Sequence, residues 1–485
     1  MKTFNYYLFA TLLLLTACGG NDYESQVHYP GVDYEPDSYN EKYKDYVENP
    51  FVLVSEQPVS TFSIDADGAS YSNMRRYLNW GQLPPKASVR IEEYINYFTF
   101  NYPEPANGEN VSLHTELSTC PWNAEHYLLR IGIKGKTIPE NELPPSNYVF
   151  LIDVSGSMNS PSKLGILKAG FKTMVDQLRD NDRVAIVTYA GYEKVLLEST
   201  PADKKDEIKK AIDQLSASGS TAGAKAIVTA YEIAQKNFIP NGNNRIILGT
   251  DGDFNVGITN TDDLVKLVEE KRDMGIYLTT LGVGEGNLND YMMEQIADHG
   301  NGNYEYIDNA DQILKIFVYE KSKFYSVAND CKNQLTFNPS AVHSYRLIGY
   351  ENRSLQTQDF ANDSIDAGEI GSSQTITAIY ELILSDTYKE TDIAAFDFRY
   401  KIPGQKESRL LSLPVQQNPI VEIRNASENM RFAAAVTAWG LLMKQSVYKG
   451  DANKQMVVDL AKDAKNFDPH NFRQEFVNLV SKSNF

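Results

Sequence analysis

Between Asn147 and about Val318 the chain alternates apolar strand-like runs with amphipathic helical segments, and no other feature limits its fold so tightly. Tyr148-Val149-Phe150-Leu151-Ile152 reads as a buried strand, followed by a helix with Leu164, Leu167, Phe171, Met174, Val175 and Leu178 at helical spacing. Strand Arg183–Tyr189 and strand Lys194–Glu198 are joined through Ala190-Gly191, a link so short that this pair must be antiparallel. Helices Asp203–Leu215 and Thr221–Phe238 come next, then strand Arg245–Leu248, helix Thr261–Met274, strand Ile276–Leu281, helix Asn289–Ala297 and strand Tyr304–Ile307. The pattern predicts an α/β domain over residues 144–320, with a doubly wound, mostly parallel sheet and one antiparallel edge.

At 485 residues the chain needs several cores. Val111–Leu117 and Tyr127–Ile133 alternate as half-buried strands, and similar material resumes only after the central domain, in Asn333–Phe337, Ala341–Ile348, Gln374–Leu384, Ala395–Lys401 and Arg409–Pro414. The economical arrangement is one β-sandwich from residues 105–140 and 325–420, with the central domain inserted in it as a loop. A small helical module over 59–104 has its packing faces at Tyr71, Met74, Tyr77 and Leu78, and at Ile91, Tyr94, Ile95 and Phe98. A second helical part fills 425–485. Asp65-Ala66-Asp67-Gly68 resembles part of a calcium loop, but its glycine comes too early and Arg76 stands where a bidentate Glu is needed; a turn or helix cap is the better reading.

The first residues carry an address. Met1-Lys2 precedes a short apolar stretch through Leu12-Leu13-Leu14-Leu15, too short for a permanent span and suited to a signal peptide over 1–18. Leu15-Thr16-Ala17-Cys18 resembles the bacterial lipobox, which makes Cys18 the expected lipidated residue and membrane anchor. Gly19 rather than Asp after the cysteine favours the outer membrane, with periplasmic or surface exposure left open. Residues 19–58 are rich in Tyr, Asp, Glu, Pro and Asn and read as a disordered tether. Cys120 and Cys331 remain; an exported pair can form a disulfide, and two partly buried free thiols is the equal alternative. The net charge of −18 argues against nucleic acid as a partner.

In doubly wound sheets ligands bind beyond the carboxyl ends of the strands. There the apolar strand ends in Asp153-Val154-Ser155-Gly156-Ser157-Met158, the 245–248 strand leads to Asp251, and Thr221 starts a helix. Asp153, Ser155, Ser157, Thr221 and Asp251 offer only hard oxygens, a set suited to Mg²⁺, with Mn²⁺ or Ca²⁺ as substitutes. Asp253 is a turn residue or a more distant acceptor.

Val149 through Met158, with Thr221 and Thr250-Asp251-Gly252, resembles the metal-ion-dependent adhesion site of von Willebrand factor type A domains. The resemblance implies that serines and threonine ligate the metal directly, that the aspartates ligate directly or through water, and that one position is left for a partner's carboxylate. Val89-Arg90-Ile91-Glu92-Glu93-Tyr94-Ile95-Asn96-Tyr97-Phe98, Cys120-Pro121-Trp122-Asn123, Tyr345 through Arg353 and Asp366-Ala367-Gly368-Glu369-Ile370-Gly371 are similar to motifs of a group of bacterial lipoproteins carrying this domain. Cys120 thus sits in a family motif and Cys331 outside one, which weakens the disulfide reading. The expected function is metal-dependent binding of a carboxylate-bearing protein at the cell envelope, without enzymatic turnover. A purely structural metal is the second reading. A hydrolase is the third, and it lacks acid/base groups: Ser155 stands two residues after Asp153, where phosphoryl transfer usually has a carboxylate, and no histidine lies in these loops. Gly282-Val283-Gly284-Glu285-Gly286 is a strand-to-helix turn rather than a dinucleotide loop.

Overall fold

The computed structural model describes residues 41–106, 108–219, 224–252, 261–385, 392–416 and 420–485. The signal peptide, Cys18 and the first part of the expected tether lie outside the described residues, as do Thr221 and Asp253. The strands ahead of the central domain are β1 (Val52–Leu53), β2 (Val59–Ser63), β3 (Val111–Thr119) and β4 (Tyr127–Gly135). Those of the central domain are β5 (Ser146–Asp153), β6 (Arg183–Tyr189), β7 (Glu193–Pro201), β8 (Asn243–Thr250), β9 (Ile276–Val283) and β10 (Tyr304–Ile307). After it come β11 (Ser326–Phe337), β12 (Val342–Ile348), β13 (Ile370–Gly371), β14 (Thr375–Leu384), β15 (Ala394–Lys401) and β16 (Ser408–Val415).

The central sheet runs β10-β9-β8-β5-β6-β7. Every pairing is parallel except β6 with β7, the antiparallel edge that the short link at Ala190-Gly191 requires. Strand β5 is buried along its whole length because both its faces are covered. Phe150 and Ile152 pack with Leu167, Phe171, Ile208 and Ile212 from helices Ile166–Gln177 and Lys205–Asp213. Val149 and Leu151 point the other way, toward Ile227, Tyr231, Leu264 and Val268 of helices Ala224–Lys236 and Thr261–Asp273. This is the doubly wound α/β class, with helices on both faces of a mainly parallel sheet.

The central domain interrupts a pair of sheets. One runs β1-β12-β14-β4-β3; in the other, β11 pairs with β15 on one side and with β2 and β13 on the other, and β16 completes the edge. β4, from before the insertion, pairs along its length with β14, from after it. Ile131, Ile133, Tyr345 and Tyr380 of the first sheet meet Phe62, Val327, Leu335 and Phe396 of the second in one core. Sequence places β2 with the N-terminal helical module, but its backbone belongs to the sandwich, in register with Lys332–Thr336.

The two helical parts expected as separate units form a single core. Tyr71, Tyr97 and Phe98 from the N-terminal part pack with Phe432, Trp439 and Phe476 from the C-terminal part. Gly440 permits the contact: a Cβ there would lie 3.0 Å from Ile91. Neither amphipathic set has enough apolar area to bury itself alone, so each covers the other.

The described part of the expected tether is not disordered. Residues 41–58 are ordered against the folded body, with Lys42 bonded through its backbone to Leu288, Asn49 donating to the carbonyls of Leu347 and Gly349, and β1 paired with β12. The anchoring is polar and backbone-mediated, which a count of aliphatic residues does not register.

Two buried arginines, Arg75 and Arg90, and the partly buried Arg353 join the central domain to the rest. Arg75 pairs with Asp308 and Glu475, Arg90 with Glu93 and Asp290, and Arg353 with Asp65 and Asp298. Arg353→Ala should destabilise the chain by about 3–5 kcal/mol, because Asp65 would be left buried without its guanidinium; urea unfolding monitored by circular dichroism measures this.

Of the two readings left open for Cys120 and Cys331, the structure has the free thiols and not the disulfide. Cys120 packs in the helical core and Cys331 in the sandwich core, each free and buried. Burial pushes both thiols above their ordinary range. A reductant should therefore leave the melting temperature unchanged within about 1 °C, since no cross-link constrains the unfolded chain; calorimetry with and without dithiothreitol checks it.

Candidate functional site

The carboxyl ends of β5 and β8 lie side by side in the centre of the sheet, and each delivers an aspartate. Asp153 ends β5 and Asp251 follows β8, and both are fully buried. Asp153 is held from two sides: its Oδ1 accepts from the Ser155 amide at 2.8 Å, and its Oδ2 accepts from the Thr250 hydroxyl at 3.0 Å. The chain then turns through Ser155 and Ser157, whose Oγ atoms are 3.0 Å apart. Ser155 is buried and Ser157 exposed, so the oxygen cluster opens to solvent on the Ser157 side.

A third loop backs onto the first. The Ser218 amide donates to the Val154 carbonyl at 2.8 Å, and the Gly156 amide to the Gly219 carbonyl at 3.0 Å. These bonds carry the segment leading to Thr221 up to the Asp153 loop. Asp153, Ser155 and Ser157 are thus brought together, with Asp251 on the neighbouring strand end.

Burial raises the Asp153 carboxyl to about 6, with the Asp251 charge adding to the rise and the hydrogen bonds from Ser155 and Thr250 opposing it. Lys163 Nζ lies 3.0 Å from Asp251 Oδ2 and 3.1 Å from Asn287 Oδ1. Sequence reasoning counted only oxygen-bearing side chains and so missed this lysine. Its signal was its place in the segment between the Asp153 loop and the following helix, with the small Gly284 leaving room for its stem. Thr250 was seen only as part of a motif, yet it fixes the Asp153 rotamer.

The donor set fits a hard divalent cation. Asp153, Ser155 and Ser157 present carboxylate and hydroxyl oxygens from one tight turn, and the mutual hydrogen bond of the two hydroxyls uses one lone pair of the acceptor and leaves the others for a cation. The Asp153 and Asp251 carboxylates are both buried, and Lys163 pairs with Asp251.

Comparison with known proteins assigns the class. A model described as von Willebrand factor type A domain matches residues 147–318, a second described as von Willebrand factor matches 37–130, and one described as uncharacterized protein YfbK, C-terminal, matches 322–485. The Escherichia coli (strain K12) protein YfbK is 41% identical over 465 residues, spanning 90% of this chain and 80% of its own. The Synechocystis sp. protein sll0103 is 25% identical over 295 residues, or 59% of this chain and 69% of its own. A solved von Willebrand factor type A structure from Catenulispora acidiphila shares 16% identity, covering 78% of this chain and 91% of that one with a TM-score of 0.45. The chain therefore belongs to the YfbK family of bacterial proteins built around a von Willebrand factor type A domain.

The Asp251 loop depends on a glycine. Gly252 has φ +96°, and a Cβ there would lie 2.4 Å from the Asn289 backbone nitrogen. Gly252→Ala is expected to destabilise the protein by at least about 1–3 kcal/mol from backbone strain alone, measurable as a lower urea midpoint.

Proposed function

We propose that the protein is a lipid-anchored component of the bacterial cell envelope that holds a carboxylate-bearing protein through a divalent metal, Mg²⁺ first and Mn²⁺ or Ca²⁺ as substitutes. The metal's residues are Asp153, Ser155, Ser157, Thr221 and Asp251. The observation that carries this reading is the convergence of the Ser155 and Ser157 hydroxyls, 3.0 Å apart above buried Asp153 and open to solvent at Ser157. When bound, the dication would keep part of its positive charge and attract an external carboxylate, because its hydroxyl ligands are neutral and Lys163 already offsets Asp251.

The chain's own residues prepare that encounter. Thr250 and the Ser155 amide keep Asp153 from swinging, Lys163 steadies Asp251, and Ser157 marks the side from which a partner arrives. The residues favour holding over cleaving: Ser155 rather than a carboxylate stands two residues beyond Asp153, and Thr250, Lys163 and Asn287 hold the aspartates in place.

The envelope assignment, with the outer membrane as the favoured side, rests on Leu15-Thr16-Ala17-Cys18 and the apolar stretch before it. No helix among the described residues is long and apolar enough to cross a membrane.

Titration calorimetry with Mg²⁺ and Mn²⁺ tests the site. Asp153→Ala should weaken binding by more than about 100-fold, given that loss of even an outer support typically costs 10–100-fold. Lys163→Gln should tighten it by about three- to tenfold by removing a competing charge. A partner crosslinked and captured from envelopes should be released by EDTA; capture unaffected by EDTA, or a wild-type chain that binds no divalent metal, would overturn the reading.

A further inference from the structure

A second group of acids lies away from the sheet's carboxyl end, where the central domain meets the rest of the chain. Asp65 follows β2, Glu93 lies on helix Ile91–Asn96, and Glu294 lies on helix Asp290–Asp298 of the central domain. Each offers a carboxylate oxygen, the three lie within 4.8 Å of one another, and all three residues are at most 2% exposed.

The local charge does not balance. Arg90 pairs with Glu93 and Asp290 and lies 3.9 Å from Glu294, while Arg353 pairs with Asp65 and Asp298 and lies 3.8 Å from Glu294. Five carboxyls therefore share two guanidiniums and, fully ionised, would exceed them by three negative charges; burial accordingly pushes Glu93, Glu294 and Asp298 above the usual carboxylate range. Isolated buried carboxylates are too costly to persist without protons or a cation.

Two orphaned oxygens point to a cation. Glu294 Oε1 accepts from the Asn352 amide, but its Oε2 is buried with no hydrogen-bond partner. The Asn352 carbonyl oxygen, on the same side chain that reaches Glu294, is also buried and unpartnered. A carboxylate oxygen and an amide oxygen are both hard donors of the kind calcium takes. A cavity of about 240 Å³, lined among others by Asp65, Asp298, Asn352 and Arg353, adjoins the cluster and leaves room for entry and for coordinating water.

We propose that Asp65, Glu93 and Glu294, with the Asn352 carbonyl, form a calcium site that fastens the central domain to the sandwich and the helical layer. Donor type and flexibility select the ion. Carboxylate and amide oxygens are hard donors, and the adaptable coordination of Ca²⁺ accepts ligands drawn from three separate elements more readily than the octahedral shell of Mg²⁺. The site is independent of the Asp153 cluster and of what that cluster binds.

The experiment uses the full chain carrying Asp153→Ala, which removes the other site's central ligand. After EDTA treatment and dialysis against Ca²⁺, atomic absorption should find one calcium per chain. Saturating Ca²⁺ should raise the melting temperature by about 3–6 °C, with Mg²⁺ giving a smaller rise. Adding Glu294→Gln should abolish both effects. If that buried change prevents folding, Asn352→Ala replaces it and should weaken calcium affinity about tenfold by removing one neutral ligand. A folded Asp153→Ala chain that retains no calcium and melts identically in Ca²⁺ and EDTA would overturn the proposal, since protons alone would then balance the cluster. Calcium retained with equal affinity by the Glu294→Gln or Asn352→Ala chain would overturn it as well.

Discussion

The arrangement of the molecule depends on charge buried between its parts. Arg75, Arg90 and Arg353 are at most 12% exposed at their side chains, and each reaches from outside the central domain to an acid within it: Asp308, Asp290 and Asp298 respectively. Buried ion pairs of this kind add little net stability relative to apolar packing, but breaking one strands a charge. Their effect is to select one relative placement. An inserted domain joined only by its two connections could pivot, whereas bidentate guanidiniums accept acids from a narrow range of directions.

That placement bears on the candidate site. Helix Asp290–Asp298 is held by Arg90 and Arg353, and the loop just ahead of it carries Asn287, which shares Lys163 with Asp251. Glu41 accepts from Arg76, Tyr77 and the Gly286 amide, so the first described residues are pinned to the same loop. The oxygen cluster is therefore braced on one side by the domain's own strands and on the other by contacts from outside the domain.

Much of this was legible in residue order. The buried run Tyr148–Ile152, the helical spacing of Leu164 through Leu178 and the short link through Ala190-Gly191 determine a parallel sheet with an antiparallel edge, because those periodicities and lengths have few other solutions. The spacing Asp153-x-Ser155-x-Ser157 put three oxygens into one turn, and the structure brings the two hydroxyls together above Asp153. Less visible were contacts whose partners are far apart in sequence. Lys163 is an ordinary surface-type residue until Asp251, 88 positions later, meets it. The Val89–Phe98 segment reads as an amphipathic helix, yet Glu92 and Glu93 on it are fully buried. Composition failed for residues 41–58, where backbone bonds and a short strand rather than apolar area hold the chain down.

The sequence by itself determined the class of sheet, the end of it that carries chemistry and the oxygen character of the site, since periodicity and local turns are properties of neighbouring residues. Only the tertiary structure decided that the two helical parts share one core, that Cys120 and Cys331 lie in different cores, and that acids from three segments converge between the modules. Those outcomes depend on which distant surfaces exclude water together. Burial of that kind is a property of the assembled chain, and no single stretch of residues encodes it.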